Sequence, residues 1–316
     1  MNRIAGIWDL TRSGGSLGRL IILLEELEIQ RQTHRAEQVD VVVVVDARHL
    51  LEGMPSEHSD ARGGPGLGGS GNVSAATAVI RAMSGITDCH ACFDRAAVDR
   101  VLALTRSGCV LWPDPERLIR GGHNYDSTEV IREFHLRAGN IPRLSVGAAQ
   151  LAWAKRYLET KAGGRPAVAV HLKNQASGQS NADPAAWLAF IAECRRVHPA
   201  HFFLIGDDAV NAAFRSLPNV TLAQDDGIAI DGYLALIQAA GLFMGMMSGP
   251  ANMALFGRNP YLIFKHPDHH AKEMAMELGD ADRYVFALPG QRVLRTWDTA
   301  ENLARAFESV TRQVSA

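Results

Sequence analysis

The sequence predicts an α/β protein made of two Rossmann-like domains facing across a cleft. Three observations predict it. In both halves of the chain, strand-length apolar runs alternate with segments whose apolar residues recur every three or four positions. The strand runs are largely continuous, as in Val39–Val45 (VDVVVVV); burial on both faces implies a parallel sheet covered by helices. Between the two alternations lies a glycine-bearing linker, Ala162–Pro166 (AGGRP), which sets domains at residues 1–160 and 165–316. A chain of 316 residues is long enough for two such cores.

In the first domain, residues 3–9 read as a strand. Thr11–Gly18 (TRSGGSLG) reads as a glycine-rich turn. Leu20, Ile21, Leu23, Leu24, Leu27 and Ile29 then keep helical spacing, with Glu25, Glu26 and Glu28 interleaved. Val39–Val45 is the second strand, ending at Asp46. Gly53–Gly71 holds seven glycines and two prolines and no periodic pattern, which reads as a long lid-like loop. Helices are expected over 73–83, 127–138 (capped by Asp126 or Ser127) and 144–160, with a strand over 109–112.

In the second domain, strands are expected over 167–172, 201–205, 220–223, 242–246 and 260–264. Asp183 followed by Pro184 is a helix start, and that helix runs to Val197. Further helices are expected over 233–239, from Pro250 to Phe256, and over 299–314 with Asp298 near the cap. Trp112, Trp153 and Trp187 read as core residues.

Charge and composition narrow the function. Lys plus Arg number 32 against 34 Asp plus Glu, so the net charge is −2; this argues against a nucleic-acid partner held by phosphate attraction. No apolar run approaches the roughly 20 residues that span a bilayer, so no transmembrane segment is expected; peripheral membrane contact stays open. No secretory leader is evident and four Cys make no disulfide scaffold, so the expected compartment is the cytoplasm. Cys89-His90-Ala91-Cys92 has zinc-like spacing, but no second pair follows it. His266, His269 and His270 with Asp268 cluster in one loop with no matching carboxylate elsewhere. No metal is expected.

The residues that carry chemistry lie where strands end. Met247-Ser248-Gly249-Pro250 closes an apolar strand and opens a helix. The free N–H groups of such a turn, through Asn252, make an anion site, and Ser248 adds a hydroxyl. A plain β–α turn is the competing reading. His171, Lys173 and Asn174 end the first strand of the second domain, where a basic side chain facing a helix start suits a diphosphate. The alternatives are a buried, hydrogen-bonded His171 and a solvated Lys173. Asp207, after Gly206, sits where an acidic group binds ribose hydroxyls, or caps a turn. Asp225 and Asp226 carry less weight. In the first domain Asp9 ends the first strand beside Arg12, Ser13, Gly14, Gly15 and Ser16. Asp9 is the first choice of base, and the loop is expected to take the acceptor.

Ser248-Gly249-Pro250, with Ala254, Gly257 and Pro260, resembles the donor-site segment of GT-B glycosyltransferases of the heptosyltransferase type. The opening strand, the loop with Ser16-Leu17-Gly18 and the following helix resemble the same family. His171-Leu172-Lys173 is similar to the His-x-Arg strand end of fucosyltransferases, with Lys173 in the Arg position. Arg19 and Met247 stand where the heptosyltransferase pattern carries Asp. The resemblance implies a GT-B-like fold and transfer of a sugar from a nucleotide-diphosphate sugar to a carbohydrate acceptor. A cell-surface glycan precursor is one such acceptor. No metal and no cofactor beyond the donor substrate are implied. The alternatives are a non-catalytic nucleotide-sugar or carbohydrate-binding protein on the same scaffold, or a sugar-nucleotide epimerase.

Overall fold

A computed structural model describes residues 2–10, 16–45, 70–92, 109–114, 128–175, 178 and 180–314. Arg12, Ser13, Gly14, Gly15 and Asp46 lie outside the described residues, as do nearly all of the Gly53–Gly71 segment and the expected caps Asp126 and Ser127. The chain divides into two compact units, Met1–Gly147 and Ala148–Ala316.

Among the described residues the first unit holds four parallel strands, β1 (Arg3–Asp9), β2 (Gln38–Val44), β3 (Asp88–Cys92) and β4 (Cys109–Trp112), in the order β3-β2-β1-β4. Helices α1 (Leu17–His34), α2 (Ser70–Ala82) and α3 (Glu129–Ala138) accompany them. The valines of β2 are buried on both faces, as a covered parallel sheet requires. Cys89-His90-Ala91-Cys92 forms strand β3, which its short, mixed composition does not announce.

The glutamates of α1 do not form a solvated stripe: Glu25, Glu26 and Glu28 are all buried. Glu28 Oε2 accepts from Arg31 Nε at 2.8 Å, and Glu26 Oε2 from Trp112 Nε1 at 2.8 Å. Glu25 Oε1 accepts from the Arg143 amide at 3.2 Å, while its Oε2 meets no hydrogen-bond donor among the described residues. Burial raises the Glu25 carboxyl to about 8, so it is carried largely protonated at neutral pH.

The second unit opens with α4 (Ala148–Ala162), so the division falls ahead of the Ala162–Pro166 linker. The reason is packing and pairing. Trp153 lies against Gly232, and Asp226 binds both the Tyr157 hydroxyl (2.6 Å) and Lys161 Nζ (2.7 Å). These contacts tie α4 to the body that follows it.

Strands β5 (Ala167–His171), β6 (His201–Leu204), β7 (Val220–Leu222), β8 (Leu242–Met246), β9 (Tyr261–Phe264) and β10 (Gln291–Leu294) are all parallel. Their order is β10-β9-β8-β5-β6-β7. Counted within the unit this is 3-2-1-4-5-6, in which the direction of winding reverses between β5 and β8. Helices α5 (Pro184–Val197), α6 (Ile230–Ala239), α7 (Gly249–Leu255), α8 (Ala271–Leu278) and α9 (Ala300–Val314) complete it. α5 starts as its sequence dictates, with the Asp183 carboxylate accepting from the amides of Ala185 and Ala186. Trp187 is fully buried among Phe190, Phe264 and their neighbours.

Asp298 does not cap α9. The Thr299 hydroxyl accepts from the Asn302 amide, while Asp298 turns inward. At 3% exposure, its Oδ2 accepts from the Asp183 amide and from Trp187 Nε1, both at 2.8 Å, and its Oδ1 faces His266 Nε2 at 2.9 Å. One carboxylate thereby joins the start of α5, the core and the loop after β9.

Candidate functional site

In an open parallel sheet ligands bind beyond the C-terminal strand ends where the winding reverses, because adjacent loops there diverge and leave a crevice. In the second unit that point lies between His171, the last residue of β5, and Gly245 of β8, which pair in register. Most residues expected to bind the donor are there.

His171 is 2% exposed, and its Nδ1 lies 2.9 Å from Ser248 Oγ. Nε2 faces Asp208 Oδ2 at 3.6 Å, too long for a hydrogen bond. The Asp208 carboxylate favours the tautomer with its proton on Nε2, in which Ser248 donates to Nδ1. Burial, and then the Lys173 charge, push the His171 pKa from 6.5 down to about 4. The ring is held neutral. Gly206 makes room for it: a Cβ there would stand 2.7 Å from His171 Cδ2, and its φ of 106° suits glycine.

The loop after β5 is pinned from both sides. Lys173 O accepts from the Ala182 amide at 2.9 Å. The Asn174 amide donates to Asp208 Oδ2 at 3.0 Å, and its Nδ2 to Ala209 O at 2.8 Å. Asn174 therefore clamps the β5 and β6 loops together, a structural use of a residue expected at the ligand. Lys173 is half-buried, and desolvation lowers its pKa against the opposing pull of Asp208. Asp207 is exposed, with Oδ1 accepting from the Tyr233 hydroxyl at 3.0 Å. Asp225 and Asp226 are committed elsewhere, Asp225 to a two-pronged pair with Arg215 and Asp226 to α4.

Ser248 is the N-cap residue of α7, with extended backbone and no side-chain cap bond. Gly249 and Ala251 in the first turn have amides that no intrahelical carbonyl can satisfy; Pro250 has none to give. Asn252 follows in the same turn. Met247 donates its amide to Phe264 O at 2.9 Å, so it serves the sheet at the position where the resemblance carries Asp.

Lys265 stands beside these strand ends and was not among the residues that the sequence singled out. It follows β9 directly, is 6% exposed, and places Nζ 2.7 Å from His269 Nδ1. Burial and the Lys173 charge lower it to about 8, and His269 falls to about 4 through burial and then Lys265. Lys173, Lys265 and His269 thus share one electrostatic neighbourhood at the strand ends. His266 is turned away by its bond to Asp298, with its ring on Trp297 at 4.5 Å between centroids. Among the described residues no group of three or more His, Cys, Asp or Glu is placed to hold a metal ion.

In the first unit Asp9 ends β1, and Ser16 is the N-cap residue of α1 without a side-chain cap bond.

No protein-family model matches this chain, and no curated protein does. Solved structures do. A glycosyl transferase family 9 protein from Veillonella parvula matches with a TM-score of 0.62 at 12% identity, covering 99% of this chain and 97% of the other. ADP-heptose LPS heptosyltransferase II from E. coli matches at 0.58 and 12%, over 100% of both chains. The chain shares their fold. An E. coli heptosyltransferase solved with ADP also matches, at 0.55 and 12%, over 98% of this chain and 99% of that one. The α/β architecture with two parallel sheets, expected from the strand and helix pattern, and the GT-B-like fold that the resemblance implies are therefore the observed ones. Among the described residues no helix is long and apolar enough to cross a membrane.

Proposed function

We propose that this chain is a glycosyltransferase that moves a sugar from a nucleotide-diphosphate sugar to a carbohydrate acceptor without a metal ion. One observation carries the reading. At the winding reversal of a 3-2-1-4-5-6 sheet, Lys173 and the Ser248–Asn252 helix start converge from neighbouring strands β5 and β8. A diphosphate needs cationic and N–H donors on either side of it, and this crevice supplies both. The shared fold adds weight, since one of the matching heptosyltransferases was solved with ADP.

In this reading the diphosphate lies between Lys173 and the amides of Gly249 and Ala251, and exposed Asp207 meets the ribose. The acceptor hydroxyl loses its proton to Asp9, and its oxygen forms the new bond to the anomeric carbon. The bond from that carbon to the β-phosphate oxygen breaks, and its electron pair stays on the phosphate. Lys173 and the fixed amides stabilise the charge that develops there. Acceptor binding is assigned to the first unit, including Arg12, Ser13, Gly14, Gly15 and Ser16.

The second reading, a nucleotide-sugar binder without turnover, is favoured by Arg19 and Met247 standing where the resemblance carries Asp. Release of nucleoside diphosphate from a panel of UDP-, GDP- and ADP-sugars, with and without mixed glycan acceptors, separates the two. The enzyme reading expects acceptor-dependent release that falls about a hundredfold or more in Asp9→Asn while nucleotide binding persists. Binding without release under every condition rejects it.

A further inference from the structure

Lys265 is a buried ammonium group with no carboxylate of its own. Among the described residues it forms no ion pair, and its polar partner is the ring nitrogen of His269. A buried charge is normally paired or neutralised, because desolvation is not otherwise offset.

The groups facing it from the packed elements do not supply that offset. Lys173 from the β5 loop adds like charge. His269 and His270 lie in its own loop, and His266 is bonded to Asp298. The acidic groups are Glu273 and Glu277 on α8. Glu273 lies 3.9 Å from His270 Nδ1, and Glu277 accepts from the Tyr284 hydroxyl; both pull on Lys265 less than Lys173 pushes.

Strands β5, β8 and β9 are neighbours in that order, so Lys173 and Lys265 flank the Ser248 turn. Positive charge stands on both sides of a helix start: Asp208 answers Lys173 on one side, while on the other Lys265 has no ion pair among the described residues.

We propose that Lys265, held in place by neutral His269, completes with Lys173 a cationic cradle for the ligand's diphosphate, and that the diphosphate binds together with a proton taken up by Lys265. This rests on the donor-site reading above and adds to it the residues and the proton linkage. The anion restores to Lys265 the counter-charge that burial denies it, so the ammonium form gains when ligand arrives. At pH 8 a fraction of Lys265 is neutral in the empty site and becomes charged in the filled one.

The test is isothermal titration of the full chain with ADP, GDP, UDP and inorganic pyrophosphate at pH 8, in two buffers of different ionisation enthalpy. The nucleotide that binds should do so with net proton uptake. Lys265→Met should weaken it about tenfold or more, the loss of one charge-assisted hydrogen bond, and abolish the uptake. The same variant should melt at a higher temperature than wild type, because an uncompensated buried charge is gone. Lys265→Arg, always charged, should hold affinity without proton uptake. Wild-type affinity in folded Lys265→Met, or uptake that persists in it, overturns the inference and leaves the donor site standing. Absence of binding by every diphosphate to the wild-type chain rejects the donor site itself, and this inference with it.

Discussion

Acidification should loosen the second unit through His171. The perturbation is protonation of a ring that the fold holds neutral. Its pKa falls from 6.5 in the unfolded chain to about 4 in the folded one, through burial and then Lys173. Because the folded value is depressed, the neutral ring's contribution is complete above pH 6.5. It is lost as pH falls toward 4. At about 1.4 kcal/mol for each tenfold in the proton equilibrium, the loss approaches about 3 kcal/mol. That is a large share of the stability of an ordinary domain. Protonation also removes the acceptor for the Ser248 hydroxyl, so the turn at α7 loosens with it. Hydrogen exchange of the β5 and β8 amides between pH 4.5 and 7.5, corrected for intrinsic rates, reads the opening free energy of this region. Wild type should lose protection steeply below pH 6. His171→Gln, which cannot titrate, should start less protected at pH 7 and show a flatter profile. An equally steep profile in the variant would refute the claim that His171 carries the dependence.

Other outcomes follow from the same structure. Asp298→Ala should cost about 3–5 kcal/mol in urea unfolding, because the buried Trp187 indole N–H and the Asp183 amide both lose their acceptor; a loss under 1 kcal/mol would contradict the role given to that carboxylate. Glu25→Gln should remove a pH dependence in the first unit. The carboxyl is raised from 4.5 to about 8, so its contribution is full below pH 4.5 and is lost as pH rises to 8. Wild type should therefore unfold more readily at pH 8 than at pH 5 by a few kcal/mol, and the variant should not. Gly206→Ala should lower the melting temperature and weaken nucleotide binding together, since its methyl group would displace the His171 ring; unchanged binding would detach that ring from the site.

Much of this could be read from residues in order. Asp183-Pro184 marked the start of α5 because a side-chain cap and a proline at N1 are local devices. The continuous valines of β2 announced a covered parallel strand for the same kind of reason. His171, Lys173, Asp207 and Ser248 could be placed at one end of the sheet because each ends or follows a strand and parallel strands share their C-terminal end. Long-range choices were not legible. Lys265 ends PYLIFK and reads as a solvated strand terminus; its burial and its contact with His269 come from the folded arrangement. Asp298 precedes a helix and reads as a cap, until Trp187, 111 residues away in sequence, claims it. β10 (QRVL) has too little apolar pattern to stand out, since buried Gln291 spends its amide on the carbonyls of Gly257 and Asn259. Likewise nothing local to α1 told that Glu25 and Glu26 would be enclosed, because their partners Arg143 and Trp112 come from elsewhere in the unit.

The central claim is that the C-terminal ends of β5 and β8 form a nucleotide-diphosphate site. Thermal unfolding of the full chain with ADP, GDP, UDP and their sugar conjugates tests it most directly, with Lys173→Ala beside wild type. At a hundredfold excess over Kd, one of these ligands should stabilise the wild-type protein by about 2.7 kcal/mol, a rise of roughly 5 °C or more. The Lys173→Ala protein should show little of that rise. A wild-type melting temperature that no nucleotide moves, or a rise of equal size in Lys173→Ala, would contradict the account.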